Sequence, residues 1–197
     1  EIRASVLLQG DWTGQEDFLL YGVSDPEEPE DHTVIFVKDA LSDEYDQIEN
    51  SIFVTAEERK LFLTDSCIQL QSSTPKNLYG ELLERIVRLL PEAEMAMVNG
   101  SYISQDVQIG KEVKIDPFCV IGRDVVIGDG CEIGAGTVIK DHVRIGRNVI
   151  VKEGCLIGVE DADIYRPKDG ACRTLPHLAG TVIEDGCLLL AGAVLAA

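Results

Sequence analysis

Residues 103–158 read ISQDVQIGKEVKIDPFCVIGRDVVIGDGCEIGAGTVIKDHVRIGRNVIVKEGCLIG. An aliphatic residue returns at every sixth position of this stretch without a slip. These positions are Ile103, Ile109, Ile115, Ile121, Ile127, Ile133, Ile139, Ile145, Val151 and Ile157. A small or β-branched residue stands four places after nearly every one of them, and glycine often follows directly. The same phase returns later at Ile183, Leu189 and Leu195, so most of the second half of the chain is one repeat.

A period of six fits neither an α-helix, which has about 3.6 residues per turn, nor a meander of β-hairpins. It predicts a parallel β-helix of hexapeptides, in which each hexapeptide forms one short strand and one corner. Three hexapeptides make one triangular coil of roughly 18 residues, and the aliphatic side chains stack inward from coil to coil. The recurring glycines indicate corner positions that need a positive φ angle or a close approach of backbone.

Composition limits the classes of function. The chain has 197 residues and a net charge of −18, which argues against nucleic acid and anionic membranes as main partners. Residues 1–102 carry 7 basic and 21 acidic residues, whereas residues 103–197 carry 10 and 14. This shift predicts a boundary near residue 100. We divide the chain into a small α/β domain, residues 1–95, and a β-helix, residues 96–197.

Cysteine usage indicates packing rather than metal binding. Six cysteines occur, without a C-x-x-C pair. Four of them occupy the small inward position of the repeat, and these are Cys119, Cys131, Cys155 and Cys187. We therefore expect no disulfide and no metal site, and a reducing, cytoplasmic compartment. No apolar run approaches the ~20 residues of a membrane-spanning helix, and no signal peptide is evident.

The first 90 residues predict a compact α/β fold. Strand-like runs are residues 4–8, 18–23, 33–37, 51–55 and 67–71, and residues 42–50 are predicted to form a short helix. A longer helix is predicted to start at Pro75, after a cap at Ser73 or Thr74, and to end before Pro91. Its apolar stripe at helical spacing predicts packing against the strands.

The hexapeptide period breaks once. After Ile157 the next in-phase position would be 163, but the period resumes only at Ile183. This insertion, residues 159–181, must leave the β-helix at a corner, and loops on a rigid scaffold commonly carry function. Its basic residues are concentrated compared with the rest of this acidic chain, and they are Arg166, Lys168 and Arg173. Tyr165, Arg166 and His177 are the candidate contacts to a substrate or to a neighbouring subunit.

The order of these parts resembles one family. An α/β module, a hexapeptide β-helix and a loop that ends in TLPHLAGTVIEDG, residues 174–186, are similar to the UDP-3-O-acylglucosamine N-acyltransferases of lipid A biosynthesis. In the module, LQGD at residues 8–11, GV at 22–23 and VIFV at 34–37 look like that family's uridine-binding domain. The resemblance implies a left-handed β-helix and a homotrimer with active sites between neighbouring β-helices. It also implies transfer of an acyl chain from acyl carrier protein to the amine of a UDP-linked acylated glucosamine, without a bound cofactor.

The resemblance further implies where functional residues lie. Phe36 stands where the family stacks an aromatic ring on uracil, and Asp39 stands where the family has an asparagine. An aspartate cannot donate a hydrogen bond as an amide does, so this position departs from the family pattern. The family's general-base histidine belongs to a coil after the loop, which we expect beyond Ala197 because the repeat stops there in mid-phase. The catalytic residue is therefore unassigned, with the outward-facing His142 as the fallback.

Other functions fit the same repeat. One alternative is a nucleotide-sugar acetyltransferase that uses acetyl-CoA as the donor. Another, from a different class, is a non-catalytic β-helical module for binding or assembly, which the missing family histidine and Asp39 favour. The leading prediction is the acyltransferase, present in this chain without its catalytic coils.

Overall fold

A computed structural model describes residues 1–9, 16–38, 43–160, 163–167, 169–178 and 180–196. The chain divides into two compact units. The α/β unit comprises Glu1–Leu90 and Asp163–Leu178, and the β-helix unit comprises Pro91–Ala162 and Ala179–Ala197. The sequence-based division kept the whole insertion with the β-helix, whereas in the structure the middle of the insertion lies in the α/β unit.

The bounds of the elements follow the chain. The α/β unit begins with β1 (Ile2–Arg3), α1 (Ala4–Leu8), β2 (Leu19–Leu20), β3 (Gly22–Ser24), β4 (Thr33–Phe36), β5 (Glu44–Tyr45), β6 (Ile52–Ala56), β7 (Phe62–Leu63), β8 (Ile68–Ser72) and α2 (Pro75–Leu89). The β-helix unit continues with β9 (Met95–Val98), β10 (Ser101–Ser104), β11 (Gln108–Ile109), β12 (Lys114–Ile115), β13 (Val120–Ile121), β14 (Val126–Ile127), β15 (Glu132–Ile133), β16 (Val138–Ile139), β17 (Arg144–Ile145), β18 (Ile150–Val151) and β19 (Leu156–Val159). The insertion contributes β20 (Ile164–Tyr165) and β21 (Arg173–Thr174), and the β-helix unit ends with β22 (Val182–Ile183), β23 (Leu188–Leu189) and β24 (Val194–Ala196).

A four-stranded parallel sheet in the order β3-β4-β6-β8 forms the centre of the α/β unit. The predicted long helix is confirmed as α2, which starts at Pro75 and ends at Leu89. Thr74 occupies the cap position but makes no side-chain hydrogen bond there. The apolar stripe of α2 is buried in the same cluster as the sheet residues, as predicted from its helical spacing.

Two predicted elements of the α/β unit are wrong. Residues 4–8 form the helix α1 rather than a strand, and the buried residues Ala4, Leu7 and Leu8 have the i, i+3, i+4 spacing of one helical face. The described part of the predicted helix at residues 42–50 contains the strand β5 instead. That strand pairs in parallel with β7 and buries Tyr45, so tertiary packing overrides the local helical pattern.

The β-helix unit has three faces. The first face has the order β24-β19-β16-β13-β10-β9, the second β11-β14-β17-β22, and the third β12-β15-β18-β23. Each inward aliphatic residue pairs with the third one after it along the chain, as Ile121 does with Ile139. The same pairing continues across the insertion, where Ile145 pairs with Ile183. The predicted hexapeptide register is therefore confirmed.

Stacked aliphatic residues fill the interior of this β-helix. Ile121, Ile133 and Ile157 are at most 1% exposed, and each such side chain contributes roughly 1.5–3 kcal/mol by its burial. The inward cysteines Cys119 and Cys155 are fully buried and unbridged, as expected for packing residues.

Glycines that directly follow the inward aliphatic positions allow neighbouring coils to approach closely. At Gly128 an added Cβ atom would lie 2.6 Å from the carbonyl oxygen of Gly146 in the next coil. Most positive φ angles fall instead two residues further along the corner, although Asp106 at that position has none. Glycine occupies some of these corner positions, and residues such as Phe118, Asp124 and His142 occupy others.

Candidate functional site

One corner of the β-helix unit stacks three side chains that can carry chemistry. Asp106, Asp124 and His142 follow strands of the first face, at the same position of three successive coils. The backbone N–H of His142 donates to the carbonyl oxygen of Arg123 over 2.8 Å, which fixes the coil spacing at this point. The hexapeptide register therefore places these residues one above another. We call this set the corner column.

Two of the three residues of the corner column have an uncommon backbone conformation. Asp124 has a φ angle of 49° and His142 one of 62°, both in the left-handed region. Asp, Asn and His are the non-glycine residues most often found there, although the conformation costs roughly 1–2 kcal/mol. At the same position of another corner the chain has Asn148. Positive φ angles recur at the same position of other corners, such as Phe118, so they belong to the repeat and do not by themselves point to function.

Asp124 and His142 form a hydrogen-bonded pair. The Nδ1 atom of His142 lies 3.1 Å from Oδ2 of Asp124, and the two side chains are 31% and 44% exposed. Arg144 binds the same Asp124 oxygen through Nη2 at 2.9 Å and donates through Nη1 to the Asp124 backbone carbonyl. Partial burial raises the pKa of Asp124. The hydrogen bonds from His142 and Arg144 outweigh that effect and hold the pKa below its ordinary value.

The lower end of the corner column is fixed by polar contacts. Oδ2 of Asp106 accepts the backbone N–H of Asp124 at 3.1 Å, and Oδ1 accepts the Ser104 hydroxyl at 2.7 Å. A cleft of about 230 Å³ opens beside it, lined by residues 91–94, Ser104, Gln105, Asp106 and Arg123. The corner column thus runs from a surface cleft up to the histidine ring.

Arg123 closes the other side of this corner. Its Nε donates to Oδ2 of Asp141 at 2.8 Å, and its Nη1 donates to the carbonyl oxygen of Pro91 at 2.6 Å. The backbone N–H of Arg123 also donates to Asp141. The Arg123 guanidinium is therefore committed to neutralising Asp141 and to holding residue 91.

The insertion returns to the β-helix unit directly above His142. The number of residues from His142 to Gly180 equals the number from Ile145 in β17 to its partner Ile183 in β22. Gly180 is therefore the residue of the next coil that stacks on His142. A Cβ atom added at Gly180 would overlap the carbonyl oxygen of His142. Glycine is required for this approach, and it puts no side chain over the His142 corner.

The predicted nucleotide-binding residues lie in or near the sheet of the α/β unit. Phe36 ends β4 and is partly buried, and its ring stacks on that of Tyr79 at 5.1 Å between centroids with an angle of 15°. One face of the Phe36 ring is thus occupied by Tyr79. Asp39 lies outside the described residues.

The insertion residues proposed as contacts lie in the α/β unit. Tyr165 is 2% exposed, and its ring rests on α2 at Gly80. The backbone N–H of Arg166 donates to Oδ1 of Asn77 at 3.2 Å, and Arg166 lines a cleft of about 300 Å³ at the start of α2. His177 is half-buried.

Charged side chains hold the insertion against α2. Arg173 donates through Nη1 to both carboxylate oxygens of Glu84, at 2.9 and 2.7 Å, and Lys76 pairs with Asp163. Burial raises the pKa of Glu84, whereas contacts with Tyr165 and Arg173 lower it. The lowering effect is the larger, so the pKa of Glu84 lies below its usual range.

Tyr165 is the apolar centre of this contact. Burial raises the pKa of Tyr165 to about 12, and the nearby Glu84 carboxylate adds to this increase. Its hydroxyl oxygen is buried and makes no hydrogen bond of acceptable geometry with any described residue. From the sequence the insertion was predicted to be a loop, and this contact was missed. The available signal was Gly80, a glycine in the interior of a strongly amphipathic helix.

The described part of the chain contains neither a metal-binding group nor a membrane-spanning helix. Within it, no group of three or more His, Cys, Asp or Glu side chains is arranged to hold a metal ion. In the same ranges, no helix is long and apolar enough to cross a membrane.

Comparison with known proteins supports the fold assigned to the β-helix unit. The family model described as bacterial transferase hexapeptide (six repeats) matches residues 106–141 and 124–158. No curated protein matches the chain in sequence. The matched residues include the corner column and the coils around it. Over these residues the chain is therefore similar to hexapeptide-repeat bacterial transferases and shares their repeat.

Proposed function

We propose that this chain is a hexapeptide-repeat acyltransferase in which His142 acts as the general base. The observation that carries the proposal is the His142–Asp124 pair, at a partly exposed corner of the coils that match the transferase repeat. With Nδ1 bound to Asp124, Nε2 of His142 is the ring atom left to take a proton. A histidine suits this task because its charge changes near neutral pH.

The acceptor amine attacks the carbonyl carbon of a thioester, a C–N bond forms, and the C–S bond breaks. Nε2 of His142 takes the proton from the attacking nitrogen and passes it to the departing thiolate. General base catalysis of this kind contributes roughly 10²–10⁴ to the rate.

Replacement of His142 tests the proposal. His142→Asn is the variant of choice because asparagine tolerates the left-handed φ angle and cannot act as the base. Thiol release from acyl carrier protein thioester and from acetyl-CoA, with UDP-linked amino sugars as acceptors, should fall by ~10²–10⁴ in the variant. The matched control is Asn148→Ala, which disturbs another corner with positive φ and should retain activity. Full activity of His142→Asn would overturn the proposal.

The choice of donor and acceptor rests on the resemblance of the α/β module and the insertion. We propose acyl carrier protein as the donor and the amine of a UDP-linked acylated glucosamine as the acceptor, with Phe36 at the nucleotide. An acetyl-CoA-dependent nucleotide-sugar acetyltransferase is the alternative, and comparison of the two donors in one assay separates them. If neither donor gives turnover in the wild-type chain, the non-catalytic binding or assembly module is the better description.

A homotrimer is part of the proposal. On the first face, the outward residue directly before each inward aliphatic residue is apolar, and these residues are Tyr102, Val120, Val138, Leu156 and Val194. The corresponding outward positions on the other two faces include charged residues. These are Arg144 on the second face, and Lys114 and Glu132 on the third. A continuous apolar column on one face supports packing against other copies of the chain. Leu156→Glu should then dissociate the oligomer in light scattering, and a wild-type monomer across micromolar concentrations would contradict this part.

A further inference from the structure

We propose that Phe118 anchors the contact between copies of this chain, as a ring that projects from a corner of the β-helix unit into the neighbouring copy. The inference rests on the homotrimer proposed above and names the residue on which that contact depends. Phe118 lies at the corner between the third face and the first face, two residues before Val120 of β13.

Phe118 combines an exposed side chain with an unfavourable backbone conformation. Its side chain is 77% exposed, the highest value among the large apolar side chains of the described residues. Its φ angle is 67°, and among the described residues with a positive φ angle it is the only apolar one besides glycine. A polar residue or glycine would avoid both costs, so neither the exposure nor the backbone explains a phenylalanine here.

The following coils show which residue this corner accepts. At the position of Phe118 they have Gly136, Gly154 and Gly192, with φ angles of 72°, 68° and 73°. A Cβ atom added at any of these glycines would have no neighbour within 4 Å. Side chains in this column therefore point into open space. The corner does not need a phenylalanine to form, and a packing partner for the ring of Phe118 lies outside its own copy.

Phe118 extends the apolar column of the first face. Val120, two residues further along the chain, pairs with Tyr102, and Met97 of β9 pairs with Tyr102 from the other side. Met97, Tyr102 and Val120 are all exposed. Together with Phe118 they form an apolar surface at one end of the first face, which we call the Phe118 patch.

Charge and size favour a second copy of the chain as the occupant of the Phe118 patch. The chain has a net charge of −18, so two copies repel one another unless they meet at a surface without charge. The Phe118 patch is uncharged, and the apolar column continues from it through Val138 and Leu156. One aromatic ring buries about 150–250 Å², whereas a stable contact needs roughly 800 Å² per partner. The occupant must therefore cover the long column as well as the ring, as the flat face of another β-helix can.

Phe118→Gly tests the inference, because it gives this corner the residue that the following coils have and removes only the ring. In sedimentation velocity across a dilution series, it should raise the dissociation constant of the oligomer by ~30-fold or more, as loss of an interface hot spot does. Phe118→Tyr keeps the ring and should retain most of the association. The matched control is Phe62→Ala, which removes an exposed phenylalanine from β7 of the α/β unit and should leave the dissociation constant unchanged.

Hydrogen exchange separates a loss of association from a loss of folding. In the background of Leu156→Glu, which is expected to be monomeric, Phe118→Gly should leave the exchange of the β13 and β16 amides unchanged or make it slower. The reason is that glycine adopts the positive φ angle of this corner without strain. Faster exchange in these strands would mean that the ring packs within its own copy, and it would overturn the inference.

The outcomes separate this inference from the proposed homotrimer. Dissociation by both Phe118→Gly and Leu156→Glu, with Phe62→Ala still associated, is the expected result. If Leu156→Glu dissociates the oligomer and Phe118→Gly does not, the copies meet at the first face without Phe118 as their anchor, and only the inference is refuted. A wild-type chain that stays monomeric across micromolar concentrations overturns the homotrimer and the inference together.

Discussion

Replacement of Gly80 with alanine should destabilise the α/β unit, although the same change stabilises most helices. Gly80 lies in the interior of α2, where alanine is normally favoured over glycine by about 0.8–1.0 kcal/mol. At this position the ring of Tyr165 occupies the space that a methyl group would need. An added Cβ atom would lie 2.6 Å from Cδ2 of Tyr165 and 2.7 Å from Cε2 and Cγ.

The magnitude follows from two opposing effects. The Tyr165 ring has little freedom to withdraw, because it is 2% exposed and β21 beside it is tied to α2 by Arg173. Overpacking of a buried contact costs roughly 1–3 kcal/mol, against a gain of about 0.8–1.0 kcal/mol from helix propensity. We expect a net loss of about 1 kcal/mol.

Native-state hydrogen exchange of the α2 amides is the suitable assay. The chain has two compact units, so a single melting curve mixes their stabilities, whereas exchange in α2 reports on the α/β unit alone. Gly80→Ala should speed the exchange of the buried turn around Tyr79 and Leu83. Amides of the β-helix core should be unaffected and serve as the internal control.

A double-mutant cycle with Tyr165→Ala makes the test decisive. Without the ring, Gly80→Ala should stabilise α2 by about 1 kcal/mol, so the sign of its effect reverses and the coupling energy is about 2 kcal/mol. Slower exchange in the single variant Gly80→Ala, with the insertion still protected, would refute the packing argument.

Glu84→Gln should cost about 1 kcal/mol at neutral pH, because Arg173 loses a charged acceptor. Since the pKa of Glu84 is lowered in the folded state, this stability is present above the unfolded-state pKa of about 4.3. It is lost as the pH falls through the lowered folded-state pKa, so urea titrations of the two proteins should converge once the Glu84 carboxylate is protonated. Gly128→Ala should lower the stability of the β-helix unit by about 2–3 kcal/mol in thermal melts, because its Cβ would meet the Gly146 backbone. Tyr165→Phe should change the stability of the α/β unit by less than about 1 kcal/mol in hydrogen exchange, because the buried hydroxyl lies near Glu84 and Arg173 but makes no hydrogen bond of acceptable geometry with a described residue.

Each of these predictions has an outcome that contradicts it. A stability gap between wild type and Glu84→Gln that does not narrow as the pH is lowered would mean that the carboxylate charge is not the cause. Gly136 has open space around its Cβ position, so Gly136→Ala should cost only the roughly 1–2 kcal/mol of its positive φ angle. An equal loss at Gly136 and Gly128 would remove the close-approach explanation. A clear destabilisation by Tyr165→Phe would place a hydrogen bond on the hydroxyl.

The β-helix could be predicted from the sequence because its period is imposed at every coil by the same contact. The aliphatic residues from Ile103 to Ile157 fix the inward face, and the spacing to Ile183 fixes where the coils resume. The structural role of individual glycines was harder to predict from the sequence. Gly128 is required by the backbone of Gly146 in the next coil, which local propensity does not report.

The site was harder to predict because its contacts cross coils. His142 was identified only as an outward-facing fallback. Its partner Asp124 belongs to the preceding coil and becomes a neighbour only when the coil is closed. In the α/β unit, the spacing of Ala4, Leu7 and Leu8 already indicated a helix, but the run is short enough to fit either period.

The divided α/β unit has a consequence for the order of synthesis. Its last segment, Asp163–Leu178, is made only after Pro91–Ala162, which belongs to the β-helix unit. At about 5–20 residues per second, a ribosome needs roughly 4–15 s to make that intervening stretch. During this interval the nascent α/β unit lacks β20 and β21, and Tyr165 does not yet cover Gly80. The α/β unit can therefore complete its fold only after the coils of Pro91–Ala162 have been synthesised.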